Sequence, residues 1–296
     1  MRDSFSEYHP LVNFLYFALV IGFSLALINP IAQLIALTCA LIYATFTNGK
    51  KSLGFLVKFC LPVVIITAVV NPLFNHRGAT ILAYFSNGNA LTLESILYGV
   101  SSSILLVIVL AWFASFNKVM TTDKFSCLFG KIIPSVSLIL SMSFRFIPRL
   151  REQAKKITEA QRSLGRDIKN GGIINKIKIA IIILSNLITW AFENSVITSD
   201  SMKSRGYGIK KPTSFTIYSF KKRDKLALSW LIISGAALLY GIVAGNFKFS
   251  YFPSISYTPI TLKTLPLYFV YFALCITPII LNLKEELKWK YLVSKI

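Results

Sequence analysis

The stretch Phe144-Arg145-Phe146-Ile147-Pro148-Arg149-Leu150-Arg151-Glu152-Gln153-Ala154-Lys155-Lys156-Ile157-Thr158-Glu159-Ala160-Gln161-Arg162-Ser163-Leu164-Gly165 decides how the chain is read. Phe146/Ile147, Leu150, Ala154, Ile157, Ala160/Gln161 and Leu164 recur every three or four residues. Arg149, Arg151, Glu152, Lys155, Lys156 and Arg162 fall on the other side, the pattern of an amphipathic helix. Pro148 kinks that helix or marks its exit from the apolar stretch Ser135–Phe144. Gly165 is its terminator, and Gly171-Gly172 breaks the chain again. A second long helix follows over about Ile173–Arg205. Its nearly all-apolar centre, Ile179–Phe192, is shorter than the roughly 20 residues that cross a bilayer, so it is read as buried or interfacial. It stops at Ser204-Arg205-Gly206-Tyr207-Gly208, with Pro212 close behind. The two helices thus end on related tripeptides, Ser163-Leu164-Gly165 and Ser204-Arg205-Gly206. Their approaches, Ala160-Gln161-Arg162 and Ser201-Met202-Lys203, are also alike.

Outward from this region, the segment 117–225 carries 21 Lys plus Arg against 7 Asp plus Glu. The whole chain of 296 residues is 54% hydrophobic and 15% charged, with a formal charge of +20 and a mean hydropathy of +0.62. A soluble domain is about 25% charged. High apolarity with strong positive charge indicates a membrane protein with a basic aqueous face, and argues against a soluble enzyme, a secreted disulfide scaffold or a disordered tail. Six stretches approach the length of a span: Leu11–Ile28, Ile31–Thr47, Leu53–Val70, Glu94–Phe116, Leu226–Gly245 and Leu265–Leu283. Asn29-Pro30 joins the first two as a tight turn. The first lacks a small-residue cleavage site and is read as a retained span. With the N-terminus inside, inner segments hold 28 of the 32 basic residues, while outer segments hold Arg77, Lys248 and Lys263, in the sense of the positive-inside rule. Lys58, about 7.5 Å into the third span, is read as snorkelling to the inner surface.

The expected fold is therefore an all-α integral membrane protein of about six transmembrane helices. A cytoplasmic domain of long amphipathic helices lies between spans 4 and 5. The divisions are 1–116 (about four spans), 117–225 (cytoplasmic helices) and 226–296 (about two spans and a tail). Both termini are placed in the cytoplasm and the protein in the cell membrane.

Sites for chemistry are not evident. Cys39, Cys60, Cys127 and Cys275 are scattered and read as small buried hydrophobes, with no zinc or disulfide pattern. Asn48-Gly49-Lys50-Lys51-Ser52 lacks the first glycine and the spacing of a P-loop. Neither H-E-x-x-H nor G-x-S-x-G occurs. Glu94 lies at the outer edge of a span and is read as interfacial, so no carboxylate pair exists for a proton relay. The chain is expected to be non-catalytic, with no cofactor or metal of its own. The helix ends carry more information. A cation in the last turn is favoured by the helix dipole. Gly206 lets the backbone turn, which would hold Arg205 out as a five-donor fork suited to a carboxylate on another protein. The bland reading is an ordinary solvated helix stop. Glu159-Ala160 with Gly165 also resembles in part the E-A-A-x-x-x-G docking loop of ATP-binding-cassette importer permeases, with Gln161 in place of the second Ala.

Several stretches resemble the transmembrane T component of energy-coupling factor (ECF) transporters. They are His9-Pro10-Leu11, Asn71-Pro72-Leu73-Phe74-Asn75-His76-Arg77-Gly78, Thr92-Leu93-Glu94-Ser95, Phe144-Arg145-Phe146-Ile147-Pro148-Arg149, Glu159-Ala160-Gln161-Arg162 and Asp200-Ser201-Met202-Lys203-Ser204-Arg205-Gly206-Tyr207-Gly208. The resemblance implies a coupling subunit of an ATP-driven importer of vitamins or metal ions. It implies two ATP-binding-cassette ATPase subunits that bind the ATP, and a small membrane substrate-binding S component. It also implies two docking motifs of Ala-Arg-Gly type at the ends of two coupling helices. The second maps onto Ser204, Arg205 and Gly206, and the first onto Ser163, Leu164 and Gly165. Leu164 stands where the family has Arg, so Arg162 or Arg166 supplies the charge or the partner groove is apolar there. The departure fits two ATPase subunits that differ from each other. Leu150, Ile157, Leu184 and Ile188 are the expected S-component contacts. The basic surface suits acidic ATPase grooves and anionic lipid headgroups.

Three alternatives compete. A permease of another ABC importer would use the Glu159–Gly165 loop. A stand-alone transporter would need midplane polar residues and an internal repeat. A basic scaffold or nucleic-acid binder would use 117–225, but that segment has few aromatics among its charges. No nucleic-acid partner is expected.

Overall fold

Lipid offers no hydrogen-bond partner to a peptide group, so a chain this apolar satisfies its backbone in helices. The computed structural model describes residues 3–84, 88–130, 134–166, 172–209, 218–259, 261–262 and 264–293. Pro212 and Gly171, among the expected helix stops, lie outside the described residues. The chain divides into two compact units, Met1–Thr121 with Tyr218–Ile296, and Thr122–Ile217.

The first unit opens on a 3-10 turn, Ser4–Glu7, and holds helices α1 (Pro10–Ala26), α2 (Pro30–Asn48), α3 (Lys50–Phe74) and α4 (Leu93–Val119). After α5 (Thr122–Gly130), α6 (Pro134–Ser163) and α7 (Ile173–Ser204), which form the second unit, the chain returns to the first with α8 (Lys222–Val243) and α9 (Leu265–Val293). Local chemistry sets the helix starts. His9 Nδ1 accepts from the Leu11 amide at 3.2 Å and Asn29 Oδ1 from the Ile31 amide at 3.0 Å, each with proline at the next position. Proline at that place gives up an amide that has no helical partner anyway. Asp224, in the first turn of α8, accepts from the Lys221 amide at 2.8 Å and the His9 amide at 3.2 Å. It thereby ties the start of α8 to the start of α1. Arg223 lies over the Tyr8 ring at 5.0 Å and donates to the Glu7 carbonyl. Burial pushes the Tyr8 hydroxyl above its ordinary pKa against the pull of this guanidinium.

Between apolar helices in lipid, packing and interhelical hydrogen bonds replace the hydrophobic drive. The buried aromatic cluster of Phe5, Tyr16, Phe17, Tyr43 and Trp112 has neighbouring ring centroids 5.1–6.5 Å apart, mostly edge-on or tilted. Each such pair is worth about 0.5–1.5 kcal/mol beyond its buried area. A polar ladder joins α1 to α9. The Tyr16 hydroxyl donates to the Cys275 carbonyl, the Ser24 and Tyr271 hydroxyls share a bond, and the Asn29 amide donates to the Tyr268 hydroxyl at 2.8 Å. Gln33 and Ser101 bond α2 to α4, and Thr67 and Ser103 bond α3 to α4. Interhelical bonds of this kind contribute about 0.6 kcal/mol each in a membrane.

Among the described residues, five helices are long and apolar enough to cross a membrane: Pro30–Thr47, Leu93–Val119, Ile173–Ser204, Lys222–Val243 and Leu265–Tyr291. Pro10–Ala26, at 17 residues, is a slightly shorter apolar helix, and Cys60–Phe74 is an apolar stretch within the 25-residue α3. The all-α membrane character follows, while the six expected spans differ in detail. The first lies on the 17-residue α1 and the third on the 25-residue α3, both within the roughly 17–25 residues that a span needs. The helix from Ile173 also qualifies by length and composition, because its apolar run resumes at Val196 and Ile197 beyond the single charge of Glu193. Lys58 is exposed, and Cys39, Cys60 and Cys275 are buried.

The connections after α3 and α8 carry two small antiparallel hairpins that the sequence reading did not include: β1 (Ile81–Tyr84) with β2 (Ala90–Thr92), and β3 (Phe249–Ser250) with β4 (Ser256–Tyr257). The Ala79 amide donates to the Pro253 carbonyl at 2.9 Å and joins the two connections. Glu94, expected to be interfacial at the outer edge of a span, sits in the first turn of α4 and is 2% exposed. It accepts from the Thr80 amide at 3.1 Å and the Thr80 hydroxyl at 2.8 Å, because the hairpin folds back over the start of α4. A Cβ on Gly78 would come within 2.5 Å of Glu94 Oε2 and 2.7 Å of Thr92 Oγ1. Gly78→Ala should therefore lower stability by about 1–3 kcal/mol. Gly22→Ala, at a helical position with nothing within 4 Å, should hold or raise it. Thermal unfolding in detergent measures both.

Candidate functional site

The second unit consists of α5 (Thr122–Gly130), α6 (Pro134–Ser163) and α7 (Ile173–Ser204). α6 runs unbroken through Pro148, which sits inside it. Its solvent face carries the i,i+4 pairs Glu152–Lys156 at 3.3 Å and Lys155–Glu159 at 4.0 Å. Exposed helix pairs of this kind add only about 0.3–0.5 kcal/mol each, but they favour a straight helix. Phe146 of α6 stacks on Trp190 of α7, with centroids 5.7 Å apart and planes 16° from parallel.

The two helix ends close in the same way. At the end of α6, the Gly165 amide donates to the Arg162 carbonyl at 3.0 Å and the Arg166 amide to the Gln161 carbonyl at 3.0 Å. At the end of α7, the Gly206 amide donates to the Lys203 carbonyl at 2.9 Å and the Tyr207 amide to the Met202 carbonyl at 3.0 Å. Gly165 has φ +73° and Gly206 φ +77°. These are two Schellman closures, in which a left-handed glycine lets the chain turn back and satisfy the last carbonyls. The equivalence suggested by the tripeptides is thus a backbone equivalence. Ser163 and Ser204 end the helices, Leu164 and Arg205 hold the cap position, and Gly165 and Gly206 make the turn. The Ser163 and Ser204 hydroxyls donate back to the carbonyls of Glu159 and Ser201. Leu164 is 69% exposed, and Arg162, Arg166 and Arg205 are exposed too. The two caps thus present different chemistry, an apolar side chain at Leu164 and a guanidinium at Arg205.

The residues expected to meet a membrane partner separate. Leu184 and Ile188 are exposed, whereas Leu150 and Ile157 are half-buried. Leu184 and Ile188 belong to a longer exposed row on α7: Ile177, Ile181, Leu184, Ile188, Phe192 and Val196. The three- and four-residue spacing keeps these on one face. The sequence reading missed the extent of this row. It also missed a groove of about 890 Å³ between α6 and α7, lined among others by Met142, Arg145, Phe146, Arg149, Phe192, Met202 and Lys203. The quoted stretch Phe144–Arg149 held the signal, since it alternates aromatic and basic residues. Among the described residues, no group of three or more His, Cys, Asp or Glu is placed to hold a metal ion.

Comparison with known proteins gives the wider setting. The family described as CbiQ, cobalt transport protein, matches residues 7–216. The chain is similar to the energy-coupling factor transporter transmembrane protein EcfT of Lactobacillus helveticus (strain DPC 4571), at 33% identity over 36% of this chain and 39% of that protein. EcfT of Staphylococcus aureus (strain 04-02981) is 29% identical over 65% of this chain and 76% of its own length. EcfT of Streptococcus equi subsp. equi (strain 4047) is 26% identical over 71% and 82%.

A Cβ in the left-handed conformation costs about 1–2 kcal/mol. Gly206→Ala should therefore open the closure of α7, speeding hydrogen exchange at the Tyr207 amide roughly tenfold, while exchange at the Arg166 amide stays unchanged. Exchange followed by mass spectrometry reads both ends in one sample.

Proposed function

The chain belongs to the CbiQ family, the EcfT-like transmembrane components of energy-coupling factor transporters, and on that premise we propose that it is the non-catalytic coupling subunit of an ATP-driven importer of vitamins or metal ions. The observation that carries the reading is the pair of matching closures at the ends of α6 and α7, each holding one side chain outward at its cap. Two such tips suit two ATP-binding-cassette ATPase subunits, which bind and hydrolyse the ATP. Residues 117–225 form the cytoplasmic part between the membrane segments 1–116 and 226–296, and both termini lie on the cytoplasmic side of the cell membrane.

The tips are built for contact and transmission. Arg205 offers a planar fork to a carboxylate in one ATPase groove. Leu164, at the same backbone position of the other tip, offers apolar surface, with Arg162 and Arg166 beside it. A cationic tip and an apolar tip call for different grooves, so the reading favours two non-identical ATPases. Movement of either ATPase is carried along α6 and α7, which the Phe146–Trp190 stack fastens together. The exposed row containing Leu184 and Ile188 receives the S component, with Leu150 and Ile157 at the margin of that contact. Substrate is recognised by the S component, so this chain supplies motion and carries no cofactor.

Truncating one member of a buried charge pair costs about 2–5 kcal/mol, and reversal costs more. Arg205→Glu should therefore release the ATPases from the complex in mild detergent, and full co-purification with active ATPases would contradict the docking role. Leu164→Ala should weaken the association by less, about 1–3 kcal/mol for a lost apolar side chain. The salt dependence of the remaining complex should be unchanged, as titration of co-purification against ionic strength would show.

A further inference from the structure

We propose that the groove between α6 and α7 is a binding site for an anionic phospholipid, whose phosphate is held by Arg145, Arg149 and Lys203. Three observations meet there. The groove encloses about 890 Å³, near the upper end of the ~300–1,000 Å³ typical of small-molecule sites. That is room for a headgroup and the upper part of an acyl chain. Its lining combines those three cations with apolar walls from Met142, Phe146, Ile188 and Phe192, and no carboxylate lines it. Among the described residues, the ion pairs of α6 use Lys155 and Lys156 and leave Arg145 and Arg149 to face the groove. A ligand that is anionic at one end and apolar at the other is the chemical complement of such walls.

The surroundings favour a lipid over a soluble anion. α7 is apolar enough to cross a membrane, yet only 6% of its most apolar window is buried within the protein. Ile188 and Phe192 belong both to the groove wall and to the exposed apolar row. An acyl chain leaving the groove therefore meets apolar surface rather than water. Arginine is suited to phosphate because its fork gives two parallel donors, and each cation close to an anionic headgroup strengthens binding roughly fivefold. Tyr207, which follows the docking glycine of α7, lines the groove. Occupancy would thus stiffen the helix end that carries Arg205. Lys203 and Tyr207 border the docking tripeptide, but Ser204, Arg205 and Gly206 do not line the groove, and the site stands even if the partners differ from those proposed above.

The test uses the full-length protein in nanodiscs of phosphatidylcholine with a small fraction of phosphatidylglycerol, and counts retained lipids by native mass spectrometry after release into detergent. The wild-type chain should retain phosphatidylglycerol in preference to phosphatidylcholine. Combined Arg145→Gln, Arg149→Gln and Lys203→Gln should reduce that preference roughly a hundredfold. Removing the same number of charges elsewhere in the unit, with Lys155→Gln, Lys156→Gln and Lys176→Gln, should leave it intact. Ala191→Trp, which fills the groove and keeps every charge, should abolish retention and guards against misfolding of the charge variant. Equal loss in both charge variants would reduce the effect to general attraction and overturn the site. Retention by Ala191→Trp would overturn it as well. So would loss of a protein partner, without any change in lipid retention, when the three groove cations are removed.

Discussion

A helix leaves its last four carbonyls without partners, and the way α6 and α7 meet that need governs the rest of the second unit. Each spends a glycine in the left-handed conformation so that two amides can fold back onto the final turn. The consequence is geometric. The helix stops abruptly, its last carbonyls are satisfied, and the cap residue stands where the chain reverses. A helix that frayed over its last turn would present an ensemble of side-chain positions. These two present one each, Leu164 and Arg205.

The membrane unit has the complementary property. It is held by aromatic edges around Trp112, by the hydroxyl and amide bonds from α1 to α9, and by the Asp224 carboxylate that ties α8 to the start of α1. None of these bonds is strong singly in a membrane, but they recur at several depths. A frame fixed in this way resists shear between its helices. Its two most deeply buried carboxylates among the described residues are both engaged in structure, Asp224 at the start of α8 and Glu94 with Thr80 beside the hairpin before α4. The coupling role proposed above calls for such a stiff body with defined ends.

Much of this was legible from residue order. Glycine after a basic amphipathic run predicts a helix stop, and Gly165 and Gly206 make one. Asn29-Pro30 predicts a turn between two helices, and it forms with Asn29 as the cap. The family resemblance rested on short stretches and is matched by the family that covers residues 7–216. What was not legible depended on the third dimension. The burial of Glu94 requires the hairpin 81–92 to fold over it, and hairpin placement is not encoded in the span pattern. The groove requires α6 and α7 to lie side by side, so its cations could be seen in the sequence but not their common enclosure. The apolar centre of α7 was readable as buried or interfacial, and its exposed row decides for an outward face, because periodicity identifies an apolar side without saying what covers it. By length and composition α7 is also apolar enough for a span, because Val196 and Ile197 resume the apolar run beyond Glu193, where the residue order set the limit at Phe192.

The central claim is that the two closures are contact points for the motor subunits. Photoactivatable side chains placed in turn at positions 164 and 205, irradiated in native membranes and followed by mass-spectrometric identification, test it most directly. The account predicts adducts from both positions with nucleotide-binding proteins. Adducts confined to lipid or to this chain itself would contradict it.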